Sequence, residues 1–217
     1  DVARAPAPPQ STPPARWRPR TVGLAAAVLV AILAGAARLA WRAGHQPAQA
    51  PASRASLGSP GYDAYLRGRV RVSSENAEDN EAAIGALRQA IAADPGFAPA
   101  YAELARAYTI KVFYFAPDSQ KKGLNEEAEI AVERALSLDP KLAEAHLARG
   151  LILWTPARRF PHEEAVRAYR QALALDPGLD EAHHQLAVVL FHVGLLDKSQ
   201  AEIEKALAIN PGNTLAR

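Results

Sequence analysis

The sequence predicts an all-α protein in which a solenoid of helical hairpins follows one membrane-spanning helix and two disordered linkers. Three observations support this fold class. Alanine dominates an apolar content of 49%, whereas aromatic residues make up only 6%, a composition that favours helices over sheets. Residues 21–37 carry no charge. From residue 61 onward the sequence repeats itself, and the last repeat length is 34 residues, a period typical of helical-hairpin arrays.

The N-terminal part is predicted to consist of two linkers and a membrane span. Residues 1–20 are rich in Pro, Ala and Arg, and residues 42–60 are rich in Pro, Ala and Ser. Such segments bury no core and are expected to be disordered. Residues 21–41 form the predicted transmembrane helix, since the uncharged run can continue past Arg38 to the membrane interface. A signal peptide and a buried soluble helix are the alternatives.

Charge is divided unevenly along the chain. Residues 1–61 contain seven arginines and a single acid, whereas residues 62–217 contain 18 basic and 22 acidic residues. The repeat region is therefore mildly acidic, which argues against nucleic acid as its partner. Four arginines precede the apolar run and three follow it. This small excess favours a bacterial inner-membrane protein with a cytoplasmic N-terminus and extracytoplasmic repeats.

The repeats share their endings. Each ends in an Asp-Pro or Asn-Pro pair, with the prolines at Pro95, Pro140, Pro177 and Pro211. Proline disfavours the helical conformation in the residue before it, so each pair is expected to end a second helix. Small residues recur at helical spacing, as at Ala165 and Ala172, which lets two helices approach closely. One hairpin is too small to bury its own apolar face, and stacking supplies the core.

These units resemble the tetratricopeptide repeat (TPR) family, whose pattern is W-x2-L-G-x2-Y in the first helix and A-x3-F-x2-A before the proline. The matching first-helix positions are Tyr101, Leu104, Ala105 and Tyr108, then His146, Gly150 and Leu153, then His183, Leu186, Ala187 and Leu190. The second-helix positions are Ala128, Val132 and Ala135, then Ala165, Tyr169 and Ala172, then Ser199, Ile203 and Ala206. A weaker first unit contains Gly68, Ala83, Leu87 and Ala90. The resemblance predicts a TPR domain of about four repeats over residues 61–217, C-terminally incomplete because the pattern restarts after Pro211.

The resemblance also implies a concave groove, lined by the first helices, that binds a protein or peptide. The implied groove residues are Glu103, Arg106, Thr109, Glu144, Leu147, Leu151, Trp154, Glu181, His184, Gln185, Val188, Phe191 and His192. The family's carboxylate clamp uses Lys, Arg and Asn at such positions. Here Glu103, Glu144, Ala148 and Glu181 stand there instead, which argues against a C-terminal carboxylate as the ligand.

Motifs for catalysis are missing from the sequence. It contains no Gly-rich phosphate loop, no G-x-S-x-G and no Cys, so the chain is predicted not to be an enzyme and to use no cofactor. Four histidines, His146, His183, His184 and His192, are expected to pack or to line the groove. A transition-metal site is the alternative.

Two insertions interrupt the repeat pattern. About eleven extra residues lie between Tyr108 and Ala128. They either lengthen the first helix and add a packed loop, or form a flap whose aromatic residues contact a ligand. A shorter insertion covers residues 155–160. Arginine also replaces the family's usual leucine at Arg67 and Arg149, so the packing there is expected to differ.

The order of segments resembles the transmembrane and C-terminal TPR region of bacterial receptor-type serine/threonine protein kinases. The stretches YDAYLRG (62–68) and AIAADPGFAPAYAELARAY (90–108) carry this resemblance. The chain begins at Asp1 and contains no kinase motif, so a catalytic domain is expected upstream. A winged-helix DNA-binding domain upstream, or a non-signalling scaffold for envelope assembly, are the other hypotheses.

Overall fold

The structure, a computed structural model, describes residues 60–72, 74 and 76–212. Within these ranges the chain forms eight α-helices, one short 3-10 helix and no strand. The helices are α1 (Pro60–Val72), α2 (Ala77–Ala93), α3 (Ala98–Tyr114), α4 (Asp118–Leu138), α5 (Ala143–Leu153), α6 (His162–Leu175), α7 (Asp180–His192) and α8 (Leu196–Ile209). They pair as four hairpins, α1–α2 to α7–α8. The predicted all-α stack of hairpins is confirmed for this part of the chain.

The predictions for the N-terminal region concern residues that the structure does not describe. The predicted span at 21–41 and the linkers at 1–20 and 42–60, apart from Pro60, lie outside the described residues. Among the helices that are described, none combines the length and the apolar character needed to cross a membrane.

The Asx-Pro pairs end the second helices by one repeated mechanism. In each turn the Asp or Asn leaves the helical conformation for an extended one, while its backbone N–H still donates to the carbonyl four residues earlier. Its side-chain Oδ1 then accepts a hydrogen bond from the backbone N–H two residues later. These bonds run from Gly96 to Asp94, from Lys141 to Asp139, from Gly178 to Asp176 and from Gly212 to Asn210, over 2.9–3.1 Å. The side chain thereby mimics a backbone turn.

In the first three turns, a ring at the aromatic position of the next first helix contacts the carbonyl of the turn proline. The Tyr101 hydroxyl donates to the Pro95 carbonyl at 3.4 Å. His146 Nε2 lies 3.0 Å from the Pro140 carbonyl and His183 Nε2 lies 3.3 Å from that of Pro177. Tyrosine and histidine are thus interchangeable here because each carries a polar tip at the end of a flat ring. His146 and His183, two of the four histidines considered from the sequence, therefore have a structural role in these turns.

Glycine in a first helix marks the closest approach of its second helix. A Cβ added to Gly150 would lie 2.3 Å from Cε1 of Tyr169, and one added to Gly68 would lie 2.6 Å from Cγ of Leu87. Tyr169 and Leu87 are both fully buried. The large residue of the second helix therefore occupies the space that a first-helix side chain would need.

The core consists of clusters that follow one another along the stack. One cluster is formed by α1 to α4 and reaches Ile152 of α5, and a second is formed by α5 to α7 around Tyr169. Between them Ala102, Ala135 and Ala145 are buried against one another. These small side chains let the second and third hairpins approach closely.

The long insertion lengthens both helices of the second hairpin. It forms the end of α3 and the first part of α4, and α4 reaches 21 residues where α6 and α8 have 14. The connecting loop is only residues 115–117. The expected lengthening of the first helix is found, since α3 has 17 residues where α5 has 11 and α7 has 13. The expected packed loop is reduced to this short connection, because most of the extra sequence is helical. Phe113 and Tyr114 at the end of α3 remain exposed.

The short insertion and the two unusual arginines also have clear places. Residues 155–160 form a 3-10 turn followed by Arg159 and Phe160, both with positive φ. Arg149 forms an ion pair with Glu133 of α4, while Arg67 is exposed. Neither arginine takes the buried role of the leucine that it replaces.

Candidate partner-binding face

The first helices α3, α5 and α7, with Trp154 at the end of α5, supply the predicted groove residues. Neighbouring first helices pack against each other from α1 to α5. We call the surface that these residues define the inner face. Their side chains fall into three groups: a polar network, a buried group and an accessible group. The groups differ in how accessible their side chains are to a binding partner.

The polar network centres on Arg106 of α3. Its Nη2 lies 2.7 Å from Oε2 of Glu181 on α7, and its Nε donates to Oε1 of the same carboxylate at 3.0 Å. Nη1 donates to Glu103 Oε2 at 3.2 Å. Two-point contacts between guanidinium and carboxylate are strong and geometrically specific. The network therefore connects the second repeat to the fourth.

Burial shapes the electrostatics of this network. Loss of water raises the pKa of Glu103, and Arg106 offsets this effect only in part while Glu181 adds to it. Arg69 reaches Glu103 only at 4.0 Å and is half exposed. Burial, together with the Glu103 charge, also raises the pKa of Tyr65 on α1 to about 12. The middle of the inner face is thus filled by the chain's own charged side chains.

Four predicted groove residues belong to the buried group. Thr109, Leu147, Trp154 and His184 are all less than 10% exposed. The Thr109 hydroxyl donates to the Ala105 carbonyl of its own helix at 2.9 Å. Leu147 and Trp154 join the core of the third and fourth repeats. These side chains are packing residues, which corrects the expectation that they face a partner.

The burial of Trp154 follows from the short insertion. Trp154 caps the end of α5, and the turn after it places Phe160 and His162 against its ring at 5.0 and 4.8 Å between centroids. His192 of α7 contacts the same indole at 5.3 Å. In an uninterrupted hairpin this position would lie at the rim of the groove. The insertion covers it instead.

The accessible group lies on the third and fourth repeats. Phe191 is 61% exposed and His192 is exposed, while Gln185 and Val188 are half-buried on the same helix. Their spacing places them along one side of α7. We call these four residues the α7 surface. Leu151 and Glu144 of α5 are also half-buried. A mixed apolar and polar strip therefore remains open where the polar network ends.

Sequence reasoning missed two features of this region. The Arg106–Glu181 ion pair joins residues 75 positions apart, and no repeat rule pairs repeats that are two apart. The segment after α7 also exposes Val193, Leu195 and Leu196, next to Gly194 with a φ of 77°. The single glycine within the apolar run of residues 193–196 is a sequence signal for an apolar turn.

Comparison with known proteins supports the repeat assignment. Residues 162–217, from α6 onward, match the family model of the tetratricopeptide repeat. A thermophilic TPR protein of Thermus thermophilus is 25% identical, with a TM-score of 0.59 over 72% of this chain and 77% of the other. A sequence search of curated proteins finds no match.

Two further solved structures share the fold. PilF of Pseudomonas aeruginosa is 21% identical, with a TM-score of 0.50 over 73% of this chain and 66% of the other. PilW, a type IV pilus biogenesis factor, is 21% identical, with a TM-score of 0.50 over 71% of this chain and 65% of the other. These two likenesses show a shared fold. Together with the hairpin geometry described above, the family-model match over residues 162–217 and the thermophilic TPR structure support a TPR-type helical stack in the described part of the chain.

Proposed function

We propose that this chain is the membrane-anchored, extracytoplasmic binding region of a bacterial signalling protein, a serine/threonine kinase whose catalytic domain lies upstream of Asp1. The repeats bind a protein or peptide on the α7 surface. The chain itself performs no catalysis and uses no cofactor. The observation that carries the binding proposal is the exposed ring of Phe191 on a first helix of a TPR stack.

The α7 surface has the chemistry of a binding site for a protein segment. Burying a phenylalanine side chain completely is worth about 1.5–3 kcal/mol, and Phe191 is 61% exposed, so much of its surface is still available for burial. His192 and Gln185 add polar groups beside it. Apolar contact area surrounded by a few polar groups is typical of peptide and protein interfaces.

The membrane and signalling parts of the proposal rest on the sequence. The uncharged run at 21–37 is bracketed by arginines, as expected of a span with interfacial ends. Residues 42–60, rich in Pro, Ala and Ser, have the composition of a flexible linker between the span and the repeats. The resemblance of the segment order to receptor-type kinases supports the upstream catalytic domain.

Site-specific photocrosslinking tests the binding surface. A photoreactive phenylalanine analogue is placed at Phe191 in the full chain, in its native cells. A matched chain carries it at Ile130, which is 66% exposed on the second helix α4. The proposal predicts a discrete crosslinked partner at 191 and none at 130. Identical products from both positions, or no product at 191, would contradict it.

The topology is tested separately by a reporter fusion. Alkaline phosphatase, which is active only after export, is fused after Arg217, and a cytoplasm-only reporter is fused in a parallel strain. Phosphatase activity is expected because four arginines precede the apolar run. Activity of the cytoplasmic reporter alone would overturn the orientation. Kinase motifs encoded upstream of Asp1 would distinguish the kinase from the winged-helix and scaffold alternatives.

A further inference from the structure

A direct ion pair between the second and fourth repeats is unusual in this kind of architecture. In repeat stacks each unit contacts its neighbours, and stability is a sum of local and neighbouring terms. The helix pairs in substantial contact here obey this rule, since they belong to the same or adjacent repeats. Arg106 of α3 and Glu181 of α7 are separated by the whole third hairpin. Their contact is a long-range connection within a nearest-neighbour structure.

The geometry of the pair is that of a fixed connection rather than a passing surface contact. Both carboxylate oxygens of Glu181 are engaged, at 2.7 and 3.0 Å. The Arg106 side chain is 13% exposed and that of Glu181 is 22% exposed. Glu103, one turn earlier on α3, holds the remaining guanidinium nitrogen at 3.2 Å. Arg106 is therefore oriented toward α7 by its own helix before the pair forms.

A contact between repeats two apart constrains the bend of the stack. Residues on α3 and α7 can meet only if the inner face curves tightly over α5. Leu147, at an inner-face position of α5, is 3% exposed, as a closed inner face requires. We propose that the Arg106–Glu181 pair is a clasp that fixes the curvature of the repeat stack and thereby the width of its inner face. This role does not depend on the proposed partner or on membrane attachment.

The chain contains a matched control for the clasp. Glu144 lies on α5 at the repeat position that Glu181 occupies on α7, 37 residues earlier. It is half-buried, and no described residue forms an ion pair with it. Replacing either glutamate with glutamine removes the same charge from equivalent positions. Only the change at Glu181 breaks the clasp.

The test is the distance between the two ends of the stack. The chain has no cysteine, so spin labels can be attached at Gln89→Cys on α2 and Lys198→Cys on α8, both exposed positions. The distance distribution is measured by pulsed electron paramagnetic resonance in the full chain. Glu181→Gln is expected to lengthen the mean distance and broaden the distribution, because a stack without the clasp flattens. Glu144→Gln is expected to reproduce the parent distribution.

A second variant tests whether the effect of Glu181→Gln comes from the new glutamine amide rather than from the loss of the carboxylate. Glu181→Ala removes the acceptor completely and is expected to give the same longer distance, with helical content by circular dichroism unchanged from the parent. An unchanged distance in both Glu181 variants would overturn the clasp. Equal lengthening in the Glu144 variant would also overturn it, since the shift would then follow from net charge rather than from the ion pair.

Discussion

At the scale of single residues, Gly150 and Tyr169 show how one position is determined by the side chain opposite. The phenol ring of Tyr169 fills the space next to the Gly150 backbone, and its hydroxyl is buried with no hydrogen-bond partner among the described residues. The ring is therefore retained for its shape rather than for its polar group. Glycine follows on the facing helix because no other residue leaves room for the ring.

Gly150→Ala is predicted to destabilise the protein. The new Cβ would overlap a fully buried ring, and overpacking of this kind costs about 1–3 kcal/mol, more than the roughly 1 kcal/mol that alanine gains in helix propensity. Gly85→Ala is the control, because a Cβ there meets nothing within 4 Å on α2. Urea unfolding should show a lower free energy for the first variant and an equal or higher one for the second. Stabilisation by both would refute the close packing.

Trp154 shows where prediction from the repeat pattern fails at this scale. The position of Trp154 within the repeat predicts that its side chain lines the groove. The repeat pattern contains no information about the insertion that follows Trp154. Arg159 and Phe160 adopt positive φ, a conformation that the sequence does not announce for these residue types. That turn brings Phe160 onto the indole. By contrast, Phe191 precedes a glycine turn without an insertion and is exposed.

At the scale of helices, the ends were predictable and the lengths were not. The Asx-Pro pairs mark the ends of α2, α4, α6 and α8 in sequence and structure alike, since their side chains and the proline both act locally. The extension of α3 and α4 was not predictable in this way. The insertion combines the aromatic run Phe113 to Phe115 with a polar, lysine-containing part, and this composition is compatible with helix or loop. Val112 is buried near the end of α3, which favours the helical extension of α3.

A polar contact between α7 and α8 stabilises the last hairpin, and its contribution to stability is expected to depend on pH. Glu202 of α8 lies 2.5 Å from His183 Nδ1 on α7 and 2.8 Å from Lys205 Nζ. Burial alone would raise the pKa of Glu202, but these hydrogen bonds outweigh it and leave the pKa below its ordinary value. An acid with a lowered pKa in the folded state stabilises the fold above its ordinary pKa of about 4.3 and loses that contribution as the pH falls below it.

Glu202→Gln is therefore predicted to lower the melting temperature at pH 7, with a gap to the parent that narrows toward pH 3. Glu204→Gln is the control on the same helix, since Glu204 is exposed and bonds only Gln200 among the described residues. Thermal melts followed by circular dichroism between pH 7 and pH 3 measure both gaps. A Glu202 gap of constant size over this range would show that the carboxylate's charge is not what stabilises the hairpin.

At the scale of the whole molecule, the repeat period predicts the stack but not its curvature. The period follows from helix and turn signals that act within about 40 residues. The Arg106–Glu181 pair joins repeats that are two apart, so it depends on how the second, third and fourth hairpins are arranged together. This arrangement of hairpins also places charged side chains in the middle of the inner face, whereas the α7 surface stays open. The surface that we propose for binding is thus smaller than the set of thirteen residues that the family resemblance implies.

The most direct test of this account is the affinity of the partner captured at position 191 for two matched variants. Phe191→Ala is expected to raise the dissociation constant about tenfold or more. A tenfold change corresponds to about 1.4 kcal/mol, which is no more than the free energy gained by burying a phenylalanine side chain. Ile130→Ala, which truncates an equally exposed side chain on α4, should leave the constant unchanged. Equal constants for parent and Phe191→Ala would contradict the assignment of the α7 surface as the binding site.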